Sequence, residues 1–312
     1  MTEISPDSQK RQDAWRLVIL FGIVAALGDV VYEGGRSVAG PFLFTLGASA
    51  FTVAFVAGFG EFAGYAIRIV TGYLADRSKQ YWLFVIAGYL MIGAIPLLVL
   101  AGSWEAAALL LIAERIGKAV RSPSKDAILS HTTTSIGRGW GFGIHEALDQ
   151  IGAVAGPLLF VGALAASGNY QSGFALLAIP FVLLIAALAL AWRSMPDPLA
   201  FESGEHHEGT HPGISGNRRH LHLYAVFTAL TMAGFIVFPL LAFHYKALGI
   251  IPDAEIPVFY AIAMGVDAVA ALIIGRAYDR YGTRVLFLVP VIGILIPLVA
   301  FSPAYPFALA GA

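Results

Sequence analysis

Eight ionisable side chains stand inside apolar stretches of this 312-residue chain: Glu61, Arg68, Glu114, Arg115, His145, Glu146, Asp149 and Asp267. A charge in hydrocarbon costs about 2.5–3.5 kcal/mol on insertion scales unless it is paired or hydrated. A carboxylate in a low-dielectric cavity also takes up a proton nearer neutral pH than one in water. Proton binding traded against a solute is therefore the chemistry this set is suited to. His145 and Asp149 are four residues apart and Glu146 and Asp149 three apart, so each pair shares a helix face. A plain structural pairing, Arg115 neutralising Glu146 or Asp149 across neighbouring helices, accounts for the same residues without function. Arg68 stands near a span end, where its stem can snorkel to water. A second cluster, Asp29, Glu33 and Arg36 in GDVVYEGGRSVAGP, suits an outer substrate vestibule or a self-satisfied charge group at a water boundary, with Gly34 and Gly35 breaking the helix. EHHEGTH (205–211) invites a metal site. With no Cys in the chain and no HExxH spacing, a solvated linker is the expectation, with no metal and no cofactor.

The elements that carry these groups follow from composition. The chain is 58% hydrophobic and 12% charged, against about 25% charged in soluble domains. That excludes a water-soluble fold of this size and points to a polytopic membrane protein in the lipid bilayer. A net charge of −1 gives no reason to expect nucleic acid. The absence of Cys excludes disulfides and thiol chemistry. At about 20 apolar residues per span, nine spans are predicted, near 15–31, 46–70, 82–101, 104–120, 140–165, 174–192, 221–243, 256–274 and 285–301, followed by ten apolar residues too short to cross. The first lacks a cleavage site and is expected to be retained. Of the 19 Lys and Arg, Arg68 and Arg115 fall within spans and only Arg36 and Lys246 face outward if the N-terminus is inside. The other fifteen then face the cytoplasm, so the positive-inside rule predicts a cytoplasmic N-terminus in an inner membrane.

Two charged turns repeat. GYLADRSKQYW (72–82) and GRAYDRYGTR (275–284) align Gly72, Asp76 and Arg77 with Gly275, Asp279 and Arg280 at one constant offset. The same offset superimposes the second span on the eighth and the third on the ninth, so the chain reads as an internal repeat of a six-helix unit. Glu61 and Asp267 then lie in matching helices and are suited to a central cavity. These turns resemble the signature loop of the major facilitator superfamily, roughly Gly-x-x-x-Asp-Arg/Lys-x-Gly-basic-basic. The second copy, with Gly282 and Arg284, fits well. The first has Lys79 where Gly is expected and Gln80 where a basic residue is expected. GAVAGP, with Gly152, Gly156 and Pro157, resembles the family's fifth-helix motif associated with antiporters, and is otherwise a helix-packing surface. ERIGKAVRSP resembles its Arg-x-x-Gly motif.

The resemblance implies an all-α fold of two six-helix bundles. Residues 1–192 form the first, 193–220 a cytoplasmic His-rich linker, and 221–312 three spans and the start of a fourth of the second. Because family members usually have twelve spans, the C-terminal bundle is expected to be incomplete, as in a truncated frame or fragment. The implied function is not enzymatic. It is secondary transport of a small molecule by alternating access in a monomer, coupled to protons and directed to efflux. Glu61, Asp267, Glu146, Asp149, His145, Arg115 and Glu114 are assigned to proton coupling or the substrate cavity. Gly72, Asp76, Arg77, Gly275, Asp279, Arg280 and Arg284 are assigned to a cytoplasmic gate. The alternatives are an importer or facilitator of the same fold, or a non-transporting membrane protein that binds a partner.

Overall fold

A computed structural model describes residues 6–133, 138–196, 218–233 and 235–311. Among them the chain is helical, with no strand. Most of the His-rich linker, including His206, His207 and His211, lies outside the described residues.

Apolar composition makes the helices, and local chemistry ends them. α1 (Pro6–Thr45) is a single helix of 40 residues. α2 (Ala50–Ser78) begins where the Ser49 hydroxyl accepts the Thr52 amide at 3.1 Å. α3 (Tyr81–Leu90) tightens into 3-10 turns over Met91–Ala94 and, after Ile95, over Pro96–Leu100. α4 (Trp104–Thr132) is capped by Ser103, α5 spans Arg138–Ser167, and α6 (Tyr170–Leu176) is capped by Asn169 and leads into α7 (Ala178–Ser194). The second half holds α8 (Arg218–Ala233), α9 (Phe238–Leu248), α10 (Ile256–Tyr281), α11 (Leu288–Ala300) and α12 (Tyr305–Gly311).

Of the nine expected spans, five are helices long and apolar enough to cross a membrane among the described residues. α4 is long, but its charges from Glu114 to Asp126 lower its hydropathy. The apolar stretches of the second half, 222–232, 256–270 and 284–300, are shorter. Two boundaries differ from expectation. The first span does not stop near Val31: its apolar stretch runs unbroken from Ala14 to Thr45. Gly34 and Gly35 do not break it. They face the Gly156 carbonyl and the Ile95 side chain, so their missing side chains serve packing. The seventh span is interrupted at 235–237, and α9 restarts with Pro239 in its first turn, the position where a missing amide costs least.

α1 is the hub. It packs along α5 and against α7, α4, α9 and α10, while α2 and α3 pack on α4, and α10 on α5. A side chain at Gly152 would meet the Ala26 backbone, and one at Gly156 the backbone of Val30 and Gly34. The helix backbones touch there, as small-residue interfaces allow in lipid, where packing and not hydrophobicity drives association. Two separate apolar clusters result. One fills the first half around Phe21, Phe42, Tyr89 and Phe174; the other joins Phe238, Tyr245, Phe259 and Tyr260.

The two repeated turns share a backbone feature. Lys79 ends α2 at φ 58°, and Gly282, its counterpart, follows α10 at φ 63°. Both are left-handed, a conformation that glycine adopts freely and lysine does not.

Candidate functional site

The halves meet at the end remote from the basic turns. A side chain at Gly40 of α1 would strike the Pro239 carbonyl of α9, Phe44 and Phe243 rings meet edge-on at 5.2 Å, and the Tyr260 hydroxyl of α10 donates to Glu33 Oε2 at 2.5 Å. Glu33 is 7% exposed and Tyr260 2%. Below this contact a cavity of about 970 Å³ separates α2 and α4 from α8 and the start of α9.

Glu61 on α2 stands in its wall between two guanidiniums. Arg36 Nη2 of α1 lies 3.2 Å and Arg115 Nη1 of α4 lies 3.1 Å from the same oxygen, Oε1. Tyr32 is buried behind this wall. Its hydroxyl accepts from Arg36 Nη1 at 2.8 Å, and its ring lies under the Arg115 guanidinium at 4.8 Å and the Lys118 ammonium at 4.3 Å. These ring faces attract cations most strongly where water is excluded. Arg115 and Lys118 share a face of α4 because they are three apart, and Arg36 and Tyr32 share one of α1 because they are four apart. Glu114, 2% exposed, lies 3.9 Å from Arg115 Nε. Arg68 also lines the cavity, with its guanidinium 5.3 Å from the Tyr65 ring. The opposite wall is apolar: Met232, Phe235, Ile236, Val237 and Leu240. An apolar pocket with a few convergent polar groups is the usual form of a small-molecule site.

The model of the Major Facilitator Superfamily matches residues 17–312. The chain belongs to the Major Facilitator Superfamily. It is a multi-pass membrane transporter of small molecules and not an enzyme, and its fold is the all-α two-bundle architecture of that superfamily. Among curated relatives, the uncharacterized protein Rv2265 of Mycobacterium tuberculosis is 45% identical over 300 residues, spanning 93% of this chain and 72% of the relative. An uncharacterized MFS-type transporter of Methanocaldococcus jannaschii, MJ1317, is 29% identical over 157 residues, half of this chain and 39% of that protein. Among solved structures, a bacterial homologue of the human lysosomal transporter Spinster, in an inward-facing and unoccupied conformation, superimposes with a TM-score of 0.69 at 17% identity, over 96% of this chain and 71% of that one.

Within this superfamily member the residues singled out from sequence separate into four places. Glu61, Arg115 and Arg36 converge at the cavity, with Glu114 behind Arg115. Asp29, Glu33 and Arg36 occur along one unbroken helix, α1, and Glu33 accepts from Tyr260. Arg115 is paired with Glu61 and Glu114, not with Glu146 or Asp149. Glu146 is exposed and accepts from Gln150 at 3.3 Å, while buried His145 lies 3.1 Å from Lys125 Nζ through Nε2. Asp149 stands one turn beyond His145, and neither lines the cavity. Asp267 is exposed on α10 and does not line it either.

The charged turn forms no ion pair between Asp76 and Arg77. Asp76 accepts from the Tyr81 hydroxyl at 3.3 Å, and Arg77 donates to Tyr73 at 3.1 Å, each a local contact. Gly72 faces Pro123 of α4. In the second copy Arg280 lies over the Tyr281 ring and Arg284 is exposed. The side-chain surroundings of Gly275 and Asp279 lie outside the described residues. Gly152 and Gly156 lie at the α1–α5 backbone contact, with Pro157 inside α5. Tyr32, Lys118 and Tyr260 were not anticipated. Lys118 follows Arg115 by three residues, but the positive-inside count places it among the charges that face the cytoplasm.

Proposed function

We propose that this chain is a proton-linked secondary transporter working by alternating access, with Glu61 as the proton-binding carboxylate. The observation that carries the reading is Glu61 shared by Arg36 and Arg115 in the cavity wall. With the basic turns cytoplasmic, as the positive-inside rule favours, the cavity faces inward and the Glu33–Tyr260 and Gly40–Pro239 contacts close the outer side. The protein acts as a monomer in the inner membrane, one cavity between two halves sufficing. Asp76, Arg77, Asp279, Arg280 and Arg284 form contacts across the turns when the cytoplasmic side closes, which fits the merely local contacts of Asp76, Arg77 and Arg280 here.

The sign of coupling follows from the clamp. Ionised Glu61 occupies both guanidiniums; Glu61 once protonated releases them to the solute. Tyr32, Lys118, Glu114, Arg68 and Tyr65 complete its charged and titratable surroundings. Proton and solute then bind together, which is co-transport and runs inward. Export in exchange for protons is the second reading, favoured by the resemblance of residues 152–157 to the antiporter motif. It requires the solute to bind Glu61 itself.

The chain has no cysteine, so spin labels can be placed without background. Labels at Ser78 and Arg284, both exposed at the basic turns, should report a pH-dependent shift in the distance distribution. Glu61→Gln should abolish that shift. A wild-type distribution that ignores pH between 5 and 8 would sink the proton-linked reading.

A further inference from the structure

We propose that the solute is an amphiphilic organic anion, bound with its acidic head among Arg36, Arg68, Arg115 and Lys118 and its apolar body along the α8–α9 wall. This deepens the transporter reading above and rests on it. The cavity wall carries four cationic side chains and one carboxylate, Glu61. Glu61 is already shared by two of them. Among the described residues, Lys118 and Arg68 form no ion pair with any carboxylate, and are instead set over the Tyr32 and Tyr65 rings. Arg36 Nε and Arg68 Nε are buried without a hydrogen-bond partner. The neighbouring acids Asp29, Glu33 and Glu114 do not line the cavity: Glu33 accepts from Tyr260, and Glu114 is buried beside Arg115.

Cations in a membrane interior need counter-charge, and guanidiniums set side by side present a donor fork that suits carboxylate, phosphate or sulfonate. A cationic solute would meet four like charges, and the one carboxylate able to receive it is taken. A small hydrophilic anion would leave Met232, Phe235 and Leu240 facing water across the cavity. An anion with an apolar body covers both walls, and at about 970 Å³ the cavity has room for it.

The test uses two probes of one size and opposite charge, naphthalene-1-sulfonate and (1-naphthylmethyl)trimethylammonium. Equilibrium binding to the purified full chain in nanodiscs is measured, followed by uptake into proteoliposomes. The sulfonate should bind saturably and the ammonium should not. Lys118→Gln and Arg115→Gln should each weaken the sulfonate by about ten- to a hundredfold, as loss of a charged hydrogen-bond donor does. Glu61→Gln should strengthen it, because both guanidiniums are freed. Lys118→Gln breaks no ion pair among the described residues, only its contact with the Tyr32 ring, so its melting temperature should fall by a few degrees at most and its binding loss stands apart from misfolding. Preference for the ammonium, binding of neither probe, or sulfonate binding indifferent to Lys118→Gln would each overturn the assignment. Ammonium uptake by the vesicles would refute the anion while leaving the transporter reading intact. Sulfonate binding without uptake would keep the anion site and remove the transporter.

Discussion

Tyr260→Phe removes one oxygen from the contact that ties the two halves at the end remote from the basic turns. In the described state the Tyr260 hydroxyl is the donor that Glu33 Oε2 receives at 2.5 Å, with both side chains buried. A hydrogen bond to a charged group contributes about 1.5–3 kcal/mol. When α1 and α10 separate at that end, Glu33 meets water and loses nothing by the substitution. The whole effect therefore falls on one side of the conformational equilibrium. At about 1.4 kcal/mol per factor of ten, the ratio should move roughly ten- to a hundredfold toward the state open at the remote end. Labels at Glu105 and Leu248, both exposed at that end, read it by electron–electron double resonance as growth of the long-distance population. The pair at Ser78 and Arg284 should shorten in step. A distribution identical to wild type, or a loss of thermal stability with no redistribution, would refute the reasoning, because the bond would then be common to both states.

The left-handed turn residues offer a reciprocal pair of substitutions. Lys79→Gly relieves about 1–2 kcal/mol of left-handed strain and gives back about 0.5–1 through the looser unfolded chain, so a small rise in melting temperature is expected; Gly282→Lys should lower it, and opposite signs would discount the strain. Asp267→Asn, remote from the cavity, should leave the pH response intact where Glu61→Gln abolishes it; equal loss in both would return Asp267 to the coupling set. Gly156→Leu forces a side chain into the Val30 and Gly34 backbone, and should cost several kcal/mol as overpacking without room to yield, read as loss of the monodisperse peak in size-exclusion chromatography. Wild-type yield would mean that α1 and α5 do not touch there.

Helix content, the internal repeat and the charged turns were legible because each is a local pattern: apolar length, a constant offset, a Gly-x-x-x-Asp-Arg string. The shared left-handed φ of Lys79 and Gly282, 58° and 63°, shows how far that legibility reaches, since the offset found in sequence matches a backbone conformation. Pairing was not legible. Arg115 had Glu61, Glu146 and Asp149 within plausible reach on neighbouring helices, and only the packing of α2 against α4 selects Glu61. Gly34–Gly35 reads as a helix breaker in water, where glycine exposes backbone. In a membrane the same pair lets another helix approach, so the water-derived expectation ended α1 about fourteen residues early. The interruption before α9 was masked by continuous hydrophobicity across it, which says nothing of backbone direction.

α1 emerges from the ribosome before its packing partners α5, α7, α9 and α10. It therefore enters the translocon carrying Asp29, Glu33 and Arg36 before Glu61 or Tyr260 exists to meet them. Each such charge is unfavourable by about 2.5–3.5 kcal/mol at mid-membrane. The length of its apolar stretch, 32 residues against about 20 for one crossing, supplies the compensating partition energy. The hub helix is thus longer than a single crossing requires, and that reserve holds it in place until the partners that neutralise its charges have been synthesised.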